Sequence, residues 1–147
     1  MIISVKPYII VAMPRKEKPF PIDLLFRALA DRTRLRLLNL IADKEICVCY
    51  FVEILRMSQP KISRHLAYLR HAGIVAARRQ GRWMHYRLLA PRDRVAAAIL
   101  KETLAHFRQI PEMQGDLAKL ETSCCNPNSA GRPLQAPQPL ILPGAAQ

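Results

Sequence analysis

Acidic residues are scarce in this chain. Eleven Asp and Glu stand against 23 Lys and Arg, leaving a formal net charge of +12 over 147 residues. An imbalance of that size points to a polyanionic partner, either a nucleic acid or an anionic membrane surface. Long apolar runs are missing as well. Tyr8 to Met13 and Val95 to Leu100 are six residues each and Ile46 to Val52 seven, far short of the roughly 20 that cross a bilayer as a helix. An integral membrane protein is therefore not expected. Cysteines number four, in two close pairs, Cys47/Cys49 and Cys124/Cys125, which is not the dispersed pattern that staples a small secreted domain. There is no glycine-rich phosphate loop and no Cys-x-x-Cys, so a nucleotide-dependent enzyme and a thioredoxin-like one both lack their usual motif. What remains is a chain long enough for one domain, half apolar and 23% charged, a globular composition.

The N-terminal apolar stretch has only Lys6 ahead of it, and no small-residue cleavage site precedes Arg15-Lys16-Glu17-Lys18. It reads as an extension and not as a signal peptide, with Met13 an alternative start. Asn126 to Gln147 holds five prolines and a single charge, Arg132, and has little to pack. The expected organisation is an extension over 1–20, a compact domain over 21–122 and a cysteine-containing, proline-rich flexible tail over 123–147. The expected compartment is the reducing cytoplasm, where paired thiols bind soft metals or do redox work.

The positive charge is concentrated. From Arg56 to Arg94 there are ten Lys or Arg and one acid, Asp93, so this segment carries +9 of the +12. These residues are interleaved with an ordered apolar pattern, which favours a folded reader of nucleic acid over a membrane-surface patch. Leu24, Leu25, Ala28 and Leu29 begin a helix, and Asp31 can cap a second with Leu35, Leu38 and Ile41 on its buried face. Ile46 to Leu55 reads as a third helix with Phe51, Ile54 and Leu55 inward. After the short link Arg56-Met57, Ser58 is placed to cap a fourth, burying Ile62, Leu66 and Leu69 and ending at Gly73. Ile74 to Arg78 and Trp83 to Leu89 read as a hairpin turned by Gln80-Gly81, with Met84, Tyr86 and Leu88 alternating against Trp83, His85 and Arg87. A last amphipathic helix runs from Asp93 to about Ile110 on Val95, Ile99, Leu104 and Phe107. Pro111 interrupts it, and a short helical piece runs on to Glu121.

Two helices joined by a short turn and followed by a basic hairpin give a mainly α fold with a small two-stranded β wing, the order of a winged helix-turn-helix. The second helix of the pair fits the major groove, and residues near its N-terminal end reach base edges. Ser58, Gln59, Lys61, Ser63, Arg64 and His65 occupy those positions, with Gln59 suited to adenine and Arg64 to guanine or a phosphate. Arg79 and Arg82 flank the wing turn, where they can meet phosphates or the minor groove. Singly, each of these has an ordinary reading as a solvated or locally bonded side chain, and Tyr68 and Trp83 read as packing residues. Their joint spacing is what favours DNA.

Four stretches in order now resemble the ArsR/SmtB family of metal-responsive bacterial repressors: Leu29-Ala-Asp-Arg-Thr-Arg-Leu-Arg-Leu-Leu38, Glu45-Ile-Cys-Val-Cys49, Ser58-Gln-Pro-Lys-Ile-Ser-Arg-His-Leu66 and Leu69-Arg-His-Ala-Gly73. The wing, Arg78-Arg-Gln-Gly-Arg-Trp83 with Tyr86, is similar as well, so the resemblance covers Leu24 to Phe107. It implies a homodimer joined through first and last helices, bound to double-stranded operator DNA with an inverted repeat and released by an inducer. Glu45 to Cys49 resembles the box of the arsenic-sensing branch, which implies As(III), with Sb(III) as a chemical relative, and no organic cofactor.

The chemistry of the cysteines agrees. Trivalent arsenic and antimony are thiophilic and take three thiolates in a pyramid. On a regular helix positions i and i+2 point about 200° apart, so Cys47 and Cys49 can share an ion only where the helix start unwinds or distorts. The family box commonly continues with Asp-Leu and a third Cys one turn on. Here Tyr50-Phe51 follow and position 52 is Val, so that helix offers no third thiolate; Cys124 or Cys125 is a candidate for it, and the vicinal tail pair is alternatively a second or principal site. All four, Cys47, Cys49, Cys124 and Cys125, are expected to take part. The family's other site, zinc on the last helix, is not expected: Asp93 is present, but Val95 stands where a His is wanted. The expected function is an arsenite-released repressor. The alternatives are the same repressor responding to cadmium, lead or thiol oxidation, an architectural DNA protein without an inducer, and, remotely, a thiol enzyme.

Overall fold

The computed structural model describes residues 18–125 and 139–142. The expected extension up to residue 17 and most of the expected tail lie outside them. The chain runs α1 (Ile22–Leu29), α2 (Arg32–Ile41), β1 (Lys44–Cys47), α3 (Val48–Leu55), α4 (Gln59–His71), β2 (Val75–Gln80), β3 (Trp83–Leu88), α5 (Arg94–Phe107), α6 (Pro111–Cys125) and β4 (Leu140–Ile141).

Local chemistry sets most of the boundaries. The Asp31 carboxylate accepts from the Arg34 amide at 2.9 Å and Asp93 accepts from the Ala96 amide at 2.8 Å, each satisfying a donor that a helix start leaves orphaned. Ser58 stands at the N-cap of α4 in extended backbone, but no side-chain cap bond forms; its carbonyl takes the first helical bonds instead. Pro60 fits the first turn, where no amide donor is required. Gly73 ends α4 at φ +78°, in the left-handed region that glycine enters without steric cost. In the wing Gln80 pairs with Trp83, so the tight turn is Gly81-Arg82, and Gly81 supplies its φ of +58°.

The core is continuous from α1 to α6. Leu37, Leu38, Leu40 and Ile41 of α2, Tyr50, Phe51 and Ile54 of α3, and Ile62, Leu66 and Leu69 of α4 are buried together with Met113 and Leu120 of α6. The inward faces expected for α3 and α4 are the observed ones. On α5 the buried stripe is Ala96, Leu100 and Phe107, with Ile99 and Leu104 half-buried, while Val95 is 64% exposed. The stripe is thus rotated by one position from the one periodicity suggested.

The strands depart most from the sequence reading. Ile46 and Cys47 do not begin the third helix: with Lys44 and Glu45 they form a strand that pairs antiparallel with β3, Ile46 opposite Tyr86 and Cys47 opposite His85. The wing hairpin leaves a row of unpaired amides and carbonyls on β3, and β1 satisfies it. Residues 140–141, expected in a loose tail, pair with the outer edge of β1 at Lys44 and Glu45, and the Leu142 amide donates to the Asp43 carbonyl at 3.2 Å. The sheet order is β2-β3-β1-β4. Because β3 is central, His85 and Tyr86 are both buried, and the simple alternation expected along this strand is lost. Phe51 covers Tyr86 edge-on, with ring centroids 6.2 Å apart.

Candidate functional site

α3 and α4 meet through a tight link in which Arg56 takes the left-handed conformation at φ 50°. The exposed surface of α4 then carries Ser58, Gln59, Lys61 and Arg64, while Ile62, Leu66 and Leu69 face the core. Ser63 and His65 are half-buried. His65 turns toward α2, with Nδ1 3.6 Å from the Asp31 carboxylate, so it is less available to a partner than its position in the helix suggests. Tyr68 is also engaged, with the Arg34 guanidinium stacked 4.2 Å from its ring centroid.

Arg79, Gln80, Gly81 and Arg82 form the exposed wing tip. The Arg82 guanidinium rests 4.9 Å from the centroid of the half-buried Trp83 ring, an arrangement that limits the rotamers of a long side chain. From Arg56 to Arg92 the sequence contains no acidic residue, so α4 and the wing present cations alone. The structure places the eight expected DNA-facing residues on these two neighbouring elements.

The thiols lie behind this surface. Cys47 is the last residue of β1 and caps α3 in extended backbone, φ −69° and ψ 144°; Cys49 is in the first turn of that helix. The junction of strand and helix therefore supplies the departure from regular helix that lets residues i and i+2 face each other. The two side chains are close enough for each thiol to shift the other. Interaction with Cys49 holds the Cys47 thiol down to about 7, with help from the backbone of Val48 and Cys49 and against the effect of burial. Cys49, half-buried, is pushed well up by Cys47 and by burial. The pair is a soft site at a helix start.

Sequence reasoning missed how α6 brings its end to this site. Arg36 of α2 donates to Asp116 from Nε at 2.7 Å and from Nη2 at 2.8 Å, and the Asn39 amide donates to the Met113 carbonyl at 2.9 Å. These bonds lay α6 across α2 and α3. At the far end the Ser123 hydroxyl donates to Glu53 of α3 at 3.0 Å. Glu53 is four residues, about one turn, beyond Cys49. α6 runs on to Cys125 instead of ending near Glu121, so the backbone of Cys124 and Cys125 follows directly from a residue anchored one turn from Cys49. The apolar spacing of Met113, Leu117 and Leu120 was the signal in the sequence. Among the described residues no group of three or more His, Cys, Asp or Glu side chains stands ready to hold a metal ion, and no helix is long and apolar enough to cross a membrane.

Residues 31–77 match the model of the arsR family of bacterial regulatory proteins. An arsenic resistance transcriptional regulator of Pseudomonas putida is 56% identical over 66 residues, 44% of this chain and 52% of its own length, so the chain spans about half of that relative. The arsenical resistance operon repressor of Escherichia coli is 49% identical over 79 residues, 53% of this chain and 68% of its own. Among solved structures, HlyU of Vibrio cholerae superposes with a TM-score of 0.51 at 28% identity, covering 60% of this chain and 90% of that one. These relatives are transcriptional regulators and not enzymes, which sets aside the thiol-enzyme reading. The winged helix-turn-helix, the family match over residues 31–77 and the 49% identity to a repressor covered over 68% of its length converge on one assignment: the chain belongs to the arsR family of bacterial regulatory proteins.

Proposed function

We propose that the protein is a homodimeric repressor that binds double-stranded operator DNA with an inverted repeat and lets it go when trivalent arsenic is captured by Cys47, Cys49 and a thiolate from Cys124 or Cys125. The observation that carries this reading is the closeness of the Cys47 and Cys49 side chains at the β1–α3 junction, where each thiol shifts the other. It brings two soft ligands together on the helix that leads into the reading helix. The docking of Ser123 on Glu53 supports the third ligand, because it anchors the chain immediately before Cys124.

Arsenous acid carries three hydroxyls, and each is exchanged for a sulfur. Every thiol gives its proton to a departing hydroxide, so three thiols and one arsenous acid yield a trithiolate and three waters. Antimony(III) follows the same stoichiometry. Drawing Cys47, Cys49 and the end of α6 around one ion re-aims the start of α3, and the left-handed link at Arg56 passes that change to α4. Two arrangements of one element, each favoured by a different ligand, are what an inducible repressor requires.

On the DNA side Gln59 and Arg64 read base edges in the major groove, while Ser58, Lys61, Ser63, Arg79 and Arg82 meet phosphates or the minor groove. His65, turned toward Asp31, contributes least. Dimerisation is supported by the apolar groups that the first and fifth helices leave in solvent: Ile22 and Phe26 of α1, the latter 55% exposed, and Val95 of α5.

The test is fluorescence anisotropy of the reduced protein on DNA from upstream of its own gene, titrated with arsenite, with zinc, cadmium and diamide as controls. Release by arsenite and not by zinc or diamide is the expected result. Tight binding that arsenite leaves undisturbed, or release by diamide alone, overturns the inducer assignment.

A further inference from the structure

β1 carries a second polar side chain that the fold buries. Glu45 is 6% exposed, two residues before Cys47 and therefore on the same face of the strand. Its partner is Arg78 of β2: Nε donates to the carboxylate at 3.0 Å and Nη2 bonds the same oxygen. β1 and β2 are not neighbours, since β3 lies between them. The pair therefore reaches across β3, where Cys47, His85 and Arg78 stand side by side in register. His85 is 1% exposed, neither ring nitrogen has a hydrogen-bond partner among the described residues, and its Nδ1 is 4.0 Å from the Glu45 carboxylate. The next residue after Arg78 is Arg79, at the wing tip.

The Glu45 carboxylate is buried while the Arg78 side chain is 46% exposed, so the carboxylate depends on a counter-charge that reaches in from the wing, and losing it leaves a buried charge unpaired. We propose that Glu45 and Arg78 are positioning residues, and that their ion pair is the link through which ligation at Cys47 is felt at the wing. The inference rests on the reading above, in which Cys47 holds the inducer and the wing touches DNA. Drawing the Cys47 sulfur toward the other thiolates displaces the end of β1. Glu45 moves with it, and Arg78 must either follow, shifting β2 and the wing tip, or leave the carboxylate unpaired. Coupling of this kind is reciprocal: DNA held by the wing alters the reactivity of the thiols.

The experiment compares the full-length wild type with Glu45→Gln, Arg78→Lys and the double variant. Glu45 is the lead position because it is buried and cannot touch DNA itself. Three quantities are read: arsenite affinity without DNA from thiolate–arsenic absorption, the fold-weakening of operator binding at saturating arsenite, and the rate of N-ethylmaleimide labelling of Cys47 and Cys49 with and without operator. For Glu45→Gln the arsenite affinity stays at the wild-type value, the fold-weakening shrinks by about 2- to 30-fold, and DNA no longer changes the labelling rate. Arg78→Lys keeps the charge but not the paired contact and shows a smaller loss, and the double variant is no worse than Glu45→Gln.

Full release and full DNA-dependent labelling in both single variants overturn the link while leaving the inducer reading intact. A wild type that ignores arsenite but keeps a DNA effect on labelling that requires Glu45 overturns the inducer reading and leaves the link. A wild type showing neither response overturns both.

Discussion

Replacing Asp116 tests whether α6 is held against α2 and α3, and with it the placement of Cys124 and Cys125. The Asp116 side chain is almost fully buried and accepts two bonds from Arg36, at 2.7 and 2.8 Å. Charge-assisted hydrogen bonds contribute about 1.5–3 kcal/mol each, and breaking a buried ion pair costs about 3–5 kcal/mol. Two features lower that figure here. Arg36 keeps a fifth of its side chain in water, and Glu112 lies 3.5 Å from its Nη1 as a substitute partner. For Asp116→Ala a loss of about 2–4 kcal/mol follows, out of the roughly 5–15 kcal/mol that holds an ordinary domain together.

In urea, at a slope of about 2 kcal/mol per molar, the middle of the range for small domains, the midpoint should fall by about 1–2 M. Glu112→Gln is the control. Its contacts with Arg32 and Arg36 are at the surface, where exposed pairs contribute about 0–1 kcal/mol, so its midpoint should barely move. On the proposed ligand set Asp116→Ala also weakens the arsenite response, because an undocked α6 no longer delivers its cysteines toward Cys49. A midpoint shift for Asp116→Ala as small as that for Glu112→Gln would refute the reasoning: α6 would then be held by apolar packing alone, and the buried pair would be nearly neutral.

Four further outcomes are expected. Arg64→Ala weakens operator binding by about 1–3 kcal/mol if its contact is to a base, and anisotropy on specific and scrambled DNA separates that from a uniform loss. Arg79→Ala and Arg82→Ala weaken both DNAs alike, and each lowers the slope of log affinity against log salt by about 1; unchanged slopes would remove the wing from the DNA contact. Cys47→Ser/Cys49→Ser keeps operator affinity within about threefold, well below tenfold per 1.4 kcal/mol, but loses release by arsenite, and persistent release in the titration would move the inducer site elsewhere. Gly73→Ala costs about 1–2 kcal/mol through its φ of +78°, with the Phe20 ring 3.6 Å from the added carbon, read as a lower thermal midpoint.

The helices of the reading unit were legible in the sequence because their signals are local. Asp31 and Asp93 cap the helices they precede, Gly73 ends α4, and the spacing of Ile62, Leu66 and Leu69 already defines the buried face of the reading helix. The basic surface was equally legible, since ten cations with one acid over Arg56 to Arg94 is a property of the chain itself. The cysteine box was visible as a motif, and the need for a non-helical Cys47 followed from the geometry of residues i and i+2.

What tertiary structure alone decided depends on partners far away in the chain. Lys44 to Cys47 becomes a strand because β3 and β4, some 40 and 95 residues on, offer it paired backbone; four residues without alternation carry no signal of that. His65 is drawn to Asp31, His85 is buried under the Glu45–Arg78 pair, and Val95 rotates outward, each set by a neighbour that periodicity does not name. The length of α6 and its anchorage through Asp116 and Ser123 likewise arise from α2 and α3. Residue type and spacing determined the helix-turn-helix with its wing, the concentration of positive charge upon it and the two close pairs of thiols. Only the packing of distant segments decided which charges remain available, and that both cysteine pairs belong to one end of the molecule.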